Sequence, residues 1–426
     1  MNKAPRDLLL YSGDELVLRI NFSTAKFDIV REVLLPWQLK GKIKVVPDYI
    51  EITSQYQDTQ RQVLIQKNTS AITSWLANRT LSLSRKNAKW LYNLIKAEQL
   101  DDPISRAKLS LKCRAVSLLD NYWVKLDGDP VTWEDVNLRY NSLNKIIAQV
   151  ALHGSSLTLQ GSLCTPEYTT NGTYAKAWRR YDDGNLWLHK AGSKDSSESR
   201  IEVMCSNLLD KMNVSHCYYQ LTKDDDLLVC ACPVMTDDDL SIVDGMSVYS
   251  YCTSRDINFD KFILDVDAEN IYKMWIVDYL LSNRDRHGQN WGFYYNPDTM
   301  KLLRCHPLFD HNNAFDPEYM RNRNAPYQFG DMTIREAAQH AISKVSFYFY
   351  LPVTRDDFIT DRQYEEFMLR SQDLGVFVVR HPLWEQYVKD YNIKEEDENA
   401  EFRRLHDLFK LEDSSLFWDK LETLLK

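Results

Sequence analysis

No stretch of this chain is apolar for long enough to enter a membrane. The opening MNKAPRDLLLYSGDELVLRI contains only the short run Leu8 to Leu10, and no later segment is both long and free of charge. Neither a secretory h-region nor a membrane span can be built from it, so the expectation is a soluble, cytoplasmic protein with no membrane partner. No Cys-x-x-Cys occurs among the eight cysteines, Cys113, Cys164, Cys205, Cys217, Cys230, Cys232, Cys252 and Cys305. That argues against a zinc or redox motif and for reduced, packed thiols, with Cys230 and Cys232 on one face of a strand. Positive charge is not in excess: the net charge is -9 and the pI near 5.6. Direct nucleic-acid binding by the chain as a whole is therefore not expected. A local basic group, Arg79, Arg85, Lys86, Lys89, Lys96, Arg106, Lys108, Lys112 and Arg114, reads best as a solvated helix face. Internal repeats and low-complexity segments are absent too.

What is present suffices for a large core: 426 residues, 44% hydrophobic and 12% aromatic, enough for two or three lobes. Residues 1–105 combine short apolar runs (Leu16 to Ile20, Lys44 to Val46, Val63 to Ile65) with a helical stretch, Asn87 to Glu98, and read as a small mixed accessory domain. Residues 106–160, with SLLDNYWVK and TWEDVNL, read as an adapter. From 161 to 238 strand-like segments surround one helix, about Ser196 to Met212. Residues 239–426 are mostly helical apart from a hairpin near 291 to 310. The predicted fold class is α+β, a strand-rich lobe followed by a helical one, which is the bilobal layout of protein-kinase-like folds.

The strongest chemical signal is Asn283-Arg284-Asp285-Arg286-His287-Gly288-Gln289-Asn290, between an apolar helix (Ile271, Met274, Trp275, Tyr279, Leu280) and a short strand from Trp291 to Tyr295. An Asp and an Asn five apart on such a loop can set a general base, Asp285, beside a metal ligand, Asn290. Phosphoryl transfer needs that pairing because the protein mainly orients the acceptor hydroxyl and neutralises phosphate charge, and magnesium accepts hard carboxylate and amide oxygens. The turn Asn296-Pro297-Asp298-Thr299 then returns the chain along Met300 to Leu308, with Asp310 at the strand's end as second metal ligand. Asp316 is the alternative.

In NLWLHKAG the side chains alternate, so Lys190 shares a face with Leu186 and Leu188. A lysine there needs a counter-charge. Glu202 on the following helix is the chosen partner, with Glu198 behind it. The loop Thr165 to Lys176 holds a single glycine, Gly172, and matches no standard phosphate-loop pattern. Its hydroxyls on Thr169, Thr170 and Thr173 could cap phosphate oxygens or be phosphorylated. Val229 to Met235 is an apolar strand whose end, Val234 and Met235, could meet adenine through backbone groups.

Read in order, Lys190, Glu202, N-R-D-R-H-G-Q-N and the later H-P-L-F-D make the chain resemble the HipA-like serine/threonine kinases over about residues 160 to 320. The D-R-H-x-x-N loop is also similar to that of phosphoinositide kinases. The resemblance implies ATP and Mg2+ as cofactors, Asp285 as catalytic base, Asn290 and Asp310 on magnesium and Lys190 on ATP. It also implies a protein substrate, an antitoxin-like partner, and autophosphorylation of the loop over the nucleotide. Here the last acidic motif is Phe309-Asp310-His311-Asn312, not D-F-G. A lipid or small-molecule kinase and a nucleotide-binding pseudokinase remain the alternatives.

Overall fold

A computed structural model of the protein describes residues 6–47, 54–154, 157, 163–170, 172–193, 195–327, 331–345, 353–376, 382–394, 397–409 and 416–426. They divide into two compact units. One comprises Met1–Ser199, Tyr219–Val266 and Trp291–His306, and the other Arg200–Tyr218, Asp267–Asn290 and Pro307–Lys426. Among the described residues no helix is long and apolar enough to cross a membrane.

The first unit carries three antiparallel sheets. Strands β1 (Leu8–Ser12), β2 (Glu15–Asn21), β3 (Lys26–Ile29) and β4 (Tyr122–Leu126) pair in the order β3-β2-β1-β4. Central β1 buries Leu8, Leu9 and Leu10, so it needs a strand on both sides, and residues 122–126 supply the second in register Leu8↔Leu126. The sheet thus crosses the boundary expected near residue 105. Of the short apolar runs, Leu16 to Ile20 lies in β2, whereas Val63 to Ile65 sits inside a 24-residue helix, Gln55–Asn78. That helix buries chiefly Ile72, Trp75, Leu76 and Ala77 near its end. Its outer half faces water and leaves no apolar stripe to read.

The second sheet contains β5 (Lys176–Arg180), β6 (Leu186–Ala191), β7 (Gln220–Asp224) and β8 (Leu227–Pro233) in the order β5-β6-β8-β7. Cys230 and Cys232 lie on β8 and are both buried. All eight cysteines are free thiols. The third sheet, β11-β10-β9, joins β9 (Ser241–Asp244) to the hairpin β10 (Gly292–Tyr295) and β11 (Leu302–Cys305). β9 lies in a segment expected to be helical.

The arginines of the basic stretch are structural. Arg79 clamps buried Asp120 through two bonds of 2.7 and 2.8 Å. Arg106 donates to the Thr80 carbonyl, and Arg114 pairs with Asp129. Arg85 is buried and donates to the carbonyls of Glu167 and Thr170. What remains exposed is scattered lysine.

The second unit is mainly helical: Ser197–Lys211 from Arg200 on, Phe259–Leu280 from Asp267 on, Ile334–Ile342, Asp361–Asp373, Pro382–Asp390, Glu398–Phe409 and Leu416–Leu425. At Asp267 the backbone leaves helical geometry, and its carboxylate accepts the amide of Asn270, so it caps the part of the helix that follows. The last three helices share a core of Trp384, Tyr387, Phe402, Leu405, Phe417 and Leu421.

Candidate active site

The helix leading to the Asp285 loop buries Ile271, Met274, Ile276, Val277, Tyr279 and Leu280. Among them stands a fully buried carboxylate, Asp278. A charge in that position is costly unless every oxygen is satisfied. Here both are: Asn283 Nδ2 donates at 2.9 Å, Arg286 donates from Nε at 3.0 Å and Nη2 at 2.9 Å, and the Tyr327 hydroxyl donates at 2.6 Å. Burial opposes the charge on Arg286, but Asp278 outweighs it and holds the guanidinium above its ordinary value. Burial, then Asp278, pushes the Tyr327 phenol well above its own.

The remaining donors of Arg286 build the site. Nη1 reaches the carbonyls of Asn290 and Phe309, both at 2.8 Å, so one side chain ties the Asp285 loop to the Asp310 loop. Nη2 lies 2.7 Å from His311 Nε2. Because a guanidinium only donates, that nitrogen is the acceptor.

Within the loop the Asp285 carbonyl accepts the amide of His287 at 2.9 Å and Nδ2 of Asn290 at 3.0 Å. That bond anchors the nitrogen of buried Asn290 and leaves Oδ1 outside it. The half-buried Asp285 carboxylate accepts a 2.7 Å bond on Oδ2 from Nδ2 of Asn313.

Asp310 arrives differently from the expectation. The returning strand β11 ends at Cys305 rather than Leu308, and Leu308 instead forms a parallel bridge with His216. The bonds are Cys217 N–H to the Leu308 carbonyl at 2.8 Å and Leu308 N–H to the Ser215 carbonyl at 3.0 Å. Asp310 adopts a left-handed backbone, φ 64°, a conformation asparagine and aspartate tolerate and one that recurs at functional sites. Glu202, fully buried, accepts the next amide, that of His311, at 2.8 Å. Its described hydrogen bond therefore braces the Asp310 loop. Asp316 is the N-cap of the short helix Pro317–Arg321 and accepts the amide of Glu318 at 2.8 Å, which commits one of its oxygens to the fold.

In the first unit, Lys190 on β6 and Lys176 on β5 are direct cross-strand partners, and both are buried. Side chains opposite one another share a face, and two ammonium groups so placed suit a polyanion. The place of Lys176 opposite Lys190 is a matter of strand register, which local sequence pattern does not encode. The left-handed backbone at Gly172 (φ +110°) favours glycine, and a Cβ there would crowd only the mobile end of the Lys176 side chain. The Thr169 and Thr170 hydroxyls are turned back to the Pro166 carbonyl at 3.3 and 2.7 Å. The loop is held by Arg85, whose proton affinity burial lowers to about 10, and by Glu167, whose carboxyl burial pushes up. Past β8, the Val234 amide bonds to the Leu186 carbonyl at 2.8 Å and the Met235 carbonyl accepts the Tyr294 hydroxyl at 2.7 Å. Neither bond uses the Val234 carbonyl or the Met235 amide.

Residues 169–348 match the family model described as HipA-like kinase. Similar solved structures include two of low sequence identity. The Helicobacter pylori proinflammatory kinase CtkA is 14% identical with a TM-score of 0.32, covering 59% of this chain and 95% of that one. The HipA–HipB–operator DNA complex of a Shewanella oneidensis MR-1 toxin–antitoxin system is 11% identical with a TM-score of 0.43, covering 86% and 96%. No curated protein matches the chain. The similarity to HipA-like kinases thus covers residues 169–348.

Proposed function

We propose that the protein is an ATP-dependent serine/threonine protein kinase that transfers the γ-phosphoryl group to a protein hydroxyl, its own included. Asp285 is the general base, Asn290 and Asp310 are the magnesium ligands, and Lys190 meets the phosphates. The observation that carries this reading is the buried Arg286, which holds the carbonyls of Asn290 and Phe309 at once and so makes one rigid body of the base loop and the second carboxylate's loop. Preorganisation of that kind is what phosphoryl transfer asks of a protein.

The donor set fits a hard divalent cation: an anchored amide with its oxygen left over at Asn290, and a carboxylate at Asp310. Magnesium would supply charge neutralisation on the phosphates. Asp285 receives the proton of the acceptor hydroxyl, with Oδ2 already held by Asn313. Lys190 contributes a fixed positive charge from β6, with Lys176 beside it. By the family resemblance an antitoxin-like protein belongs among its partners.

The test is incubation of the purified chain with γ-labelled ATP, with and without magnesium, in the presence of cell-extract protein or phosphoinositide vesicles. Protein labelling that needs magnesium and disappears in Asp310→Ala is the expected outcome. Label on lipid alone would make it a lipid kinase. ATP binding with no transfer to any acceptor would make it a pseudokinase.

A further inference from the structure

A carboxylate has two oxygens, and a general base uses one of them. In Asp285 the two are already distinguished: Oδ2 accepts the 2.7 Å bond from Nδ2 of Asn313, and Oδ1 is the oxygen left for the acceptor. The terminal torsion of an aspartate is broad, so a carboxylate held at the Cβ alone would sweep its acceptor oxygen through a wide arc. A second anchor on Oδ2 stops that rotation.

The donor is well placed to be such an anchor. Asn313 follows Asp310 in a turn closed by the Ala314 amide on the His311 carbonyl at 2.9 Å, a position that favours asparagine. The turn is braced at both ends, by Glu202 on the His311 amide and by the Phe315 amide on the Leu281 carbonyl at 3.0 Å. A neutral amide also directs the carboxylate without pairing its charge, which an arginine or lysine would do.

On the kinase reading above, we infer that Asn313 is a positioning residue for phosphoryl transfer, fixing the plane of the Asp285 carboxylate and reserving Oδ1 for the acceptor hydroxyl. In the step it serves, the acceptor proton passes to Oδ1 and the acceptor oxygen bonds to the γ-phosphorus. The bond from that phosphorus to the β,γ-bridging oxygen breaks, and its electron pair leaves with ADP. Because Asn313 lies on the Asp310 loop, base alignment and the second metal ligand are set by one piece of chain.

The experiment measures ADP release from magnesium–ATP with casein as hydroxyl acceptor, for wild type, Asn313→Ala, Asn313→Asp and Asp285→Asn. Loss of one hydrogen bond to a charged group should lower kcat about tenfold in Asn313→Ala, with the KM for ATP within about twofold and the melting temperature near wild type. Asn313→Asp keeps the shape and sets a like charge against Asp285, so its kcat falls further at unchanged KM; it serves in place of Ala should that variant melt early. With wild type active, a kcat within about twofold of wild type in both variants overturns the inference and leaves the kinase reading standing. A silent wild type, or an Asp285→Asn variant as active as wild type, overturns the reading and the inference together.

Discussion

Two buried aspartates, each bound by an arginine, do different jobs in the two units. Asp224, on the sheet of the first unit, accepts from Arg179 at 2.8 and 3.0 Å, from His189 at 2.6 Å and from His153 at 3.1 Å. Its partners lie on β5, β6 and the helix Lys145–His153, so the network staples strands and a helix together. His153, Asp224 and Asp225 come close enough to hold a metal ion, but the Asp224 oxygens are already committed to Arg179 and two imidazole nitrogens. Asp278 in the second unit is equally satisfied, yet its arginine has donors to spare, and these hold the carbonyls beside Asn290 and Asp310. The role of a buried ion pair is decided by what its surplus donors grip.

That comparison predicts the largest loss for Arg286→Met. Leaving Asp278 buried and unpaired should cost about 4 kcal/mol of stability and abolish transfer, since both loops lose their tether; denaturant unfolding and γ-phosphoryl labelling measure the two. Asp224→Asn should cost about 3 kcal/mol at neutral pH while transfer survives at temperatures where the variant is folded. Equal damage to transfer from both substitutions would break the comparison.

Asp224 also has a pH signature. Burial alone would raise its carboxyl, but the bonds from His189, Arg179 and His153 hold it well below the ordinary range. A depressed folded-state value gives stability that is fully present above the unfolded value near about 3.9 and is lost as the pH falls below it. Wild-type stability should therefore decline more steeply below about pH 4 than that of Asp224→Asn, read as melting temperature against pH. The smallest effect is expected for Asp316→Ala: a lost helix cap, about 1 kcal/mol, with labelling retained. Loss of labelling there would return the second metal ligand to Asp316.

The Asp285–Asn290 relation was legible because both residues sit on one loop whose neighbours, an apolar helix and a strand, show in the local pattern. Asp278 also stands out in the sequence as a lone carboxylate inside an apolar helical run, and its burial demands partners. Asn313 was not visible, since its bond to Asp285 depends on how two loops meet. The strand expected through Leu308 stopped early because Leu308 pairs with His216, a tertiary bridge that local pattern does not encode. Lys190 and His189 fall on opposite faces of β6 as alternation requires, with His189 on Asp224. The helix Gln55–Asn78 escaped because a half-solvated helix shows no apolar stripe, and β9 because four residues are too few to mark a strand.

The central claim is that Asp285 is the general base of a phosphoryl-transfer centre, and the isosteric Asp285→Asn variant tests it most directly. With a melting temperature matching wild type, its magnesium-dependent transfer from γ-labelled ATP should fall by about a hundredfold or more. Transfer within about twofold of wild type would contradict the account.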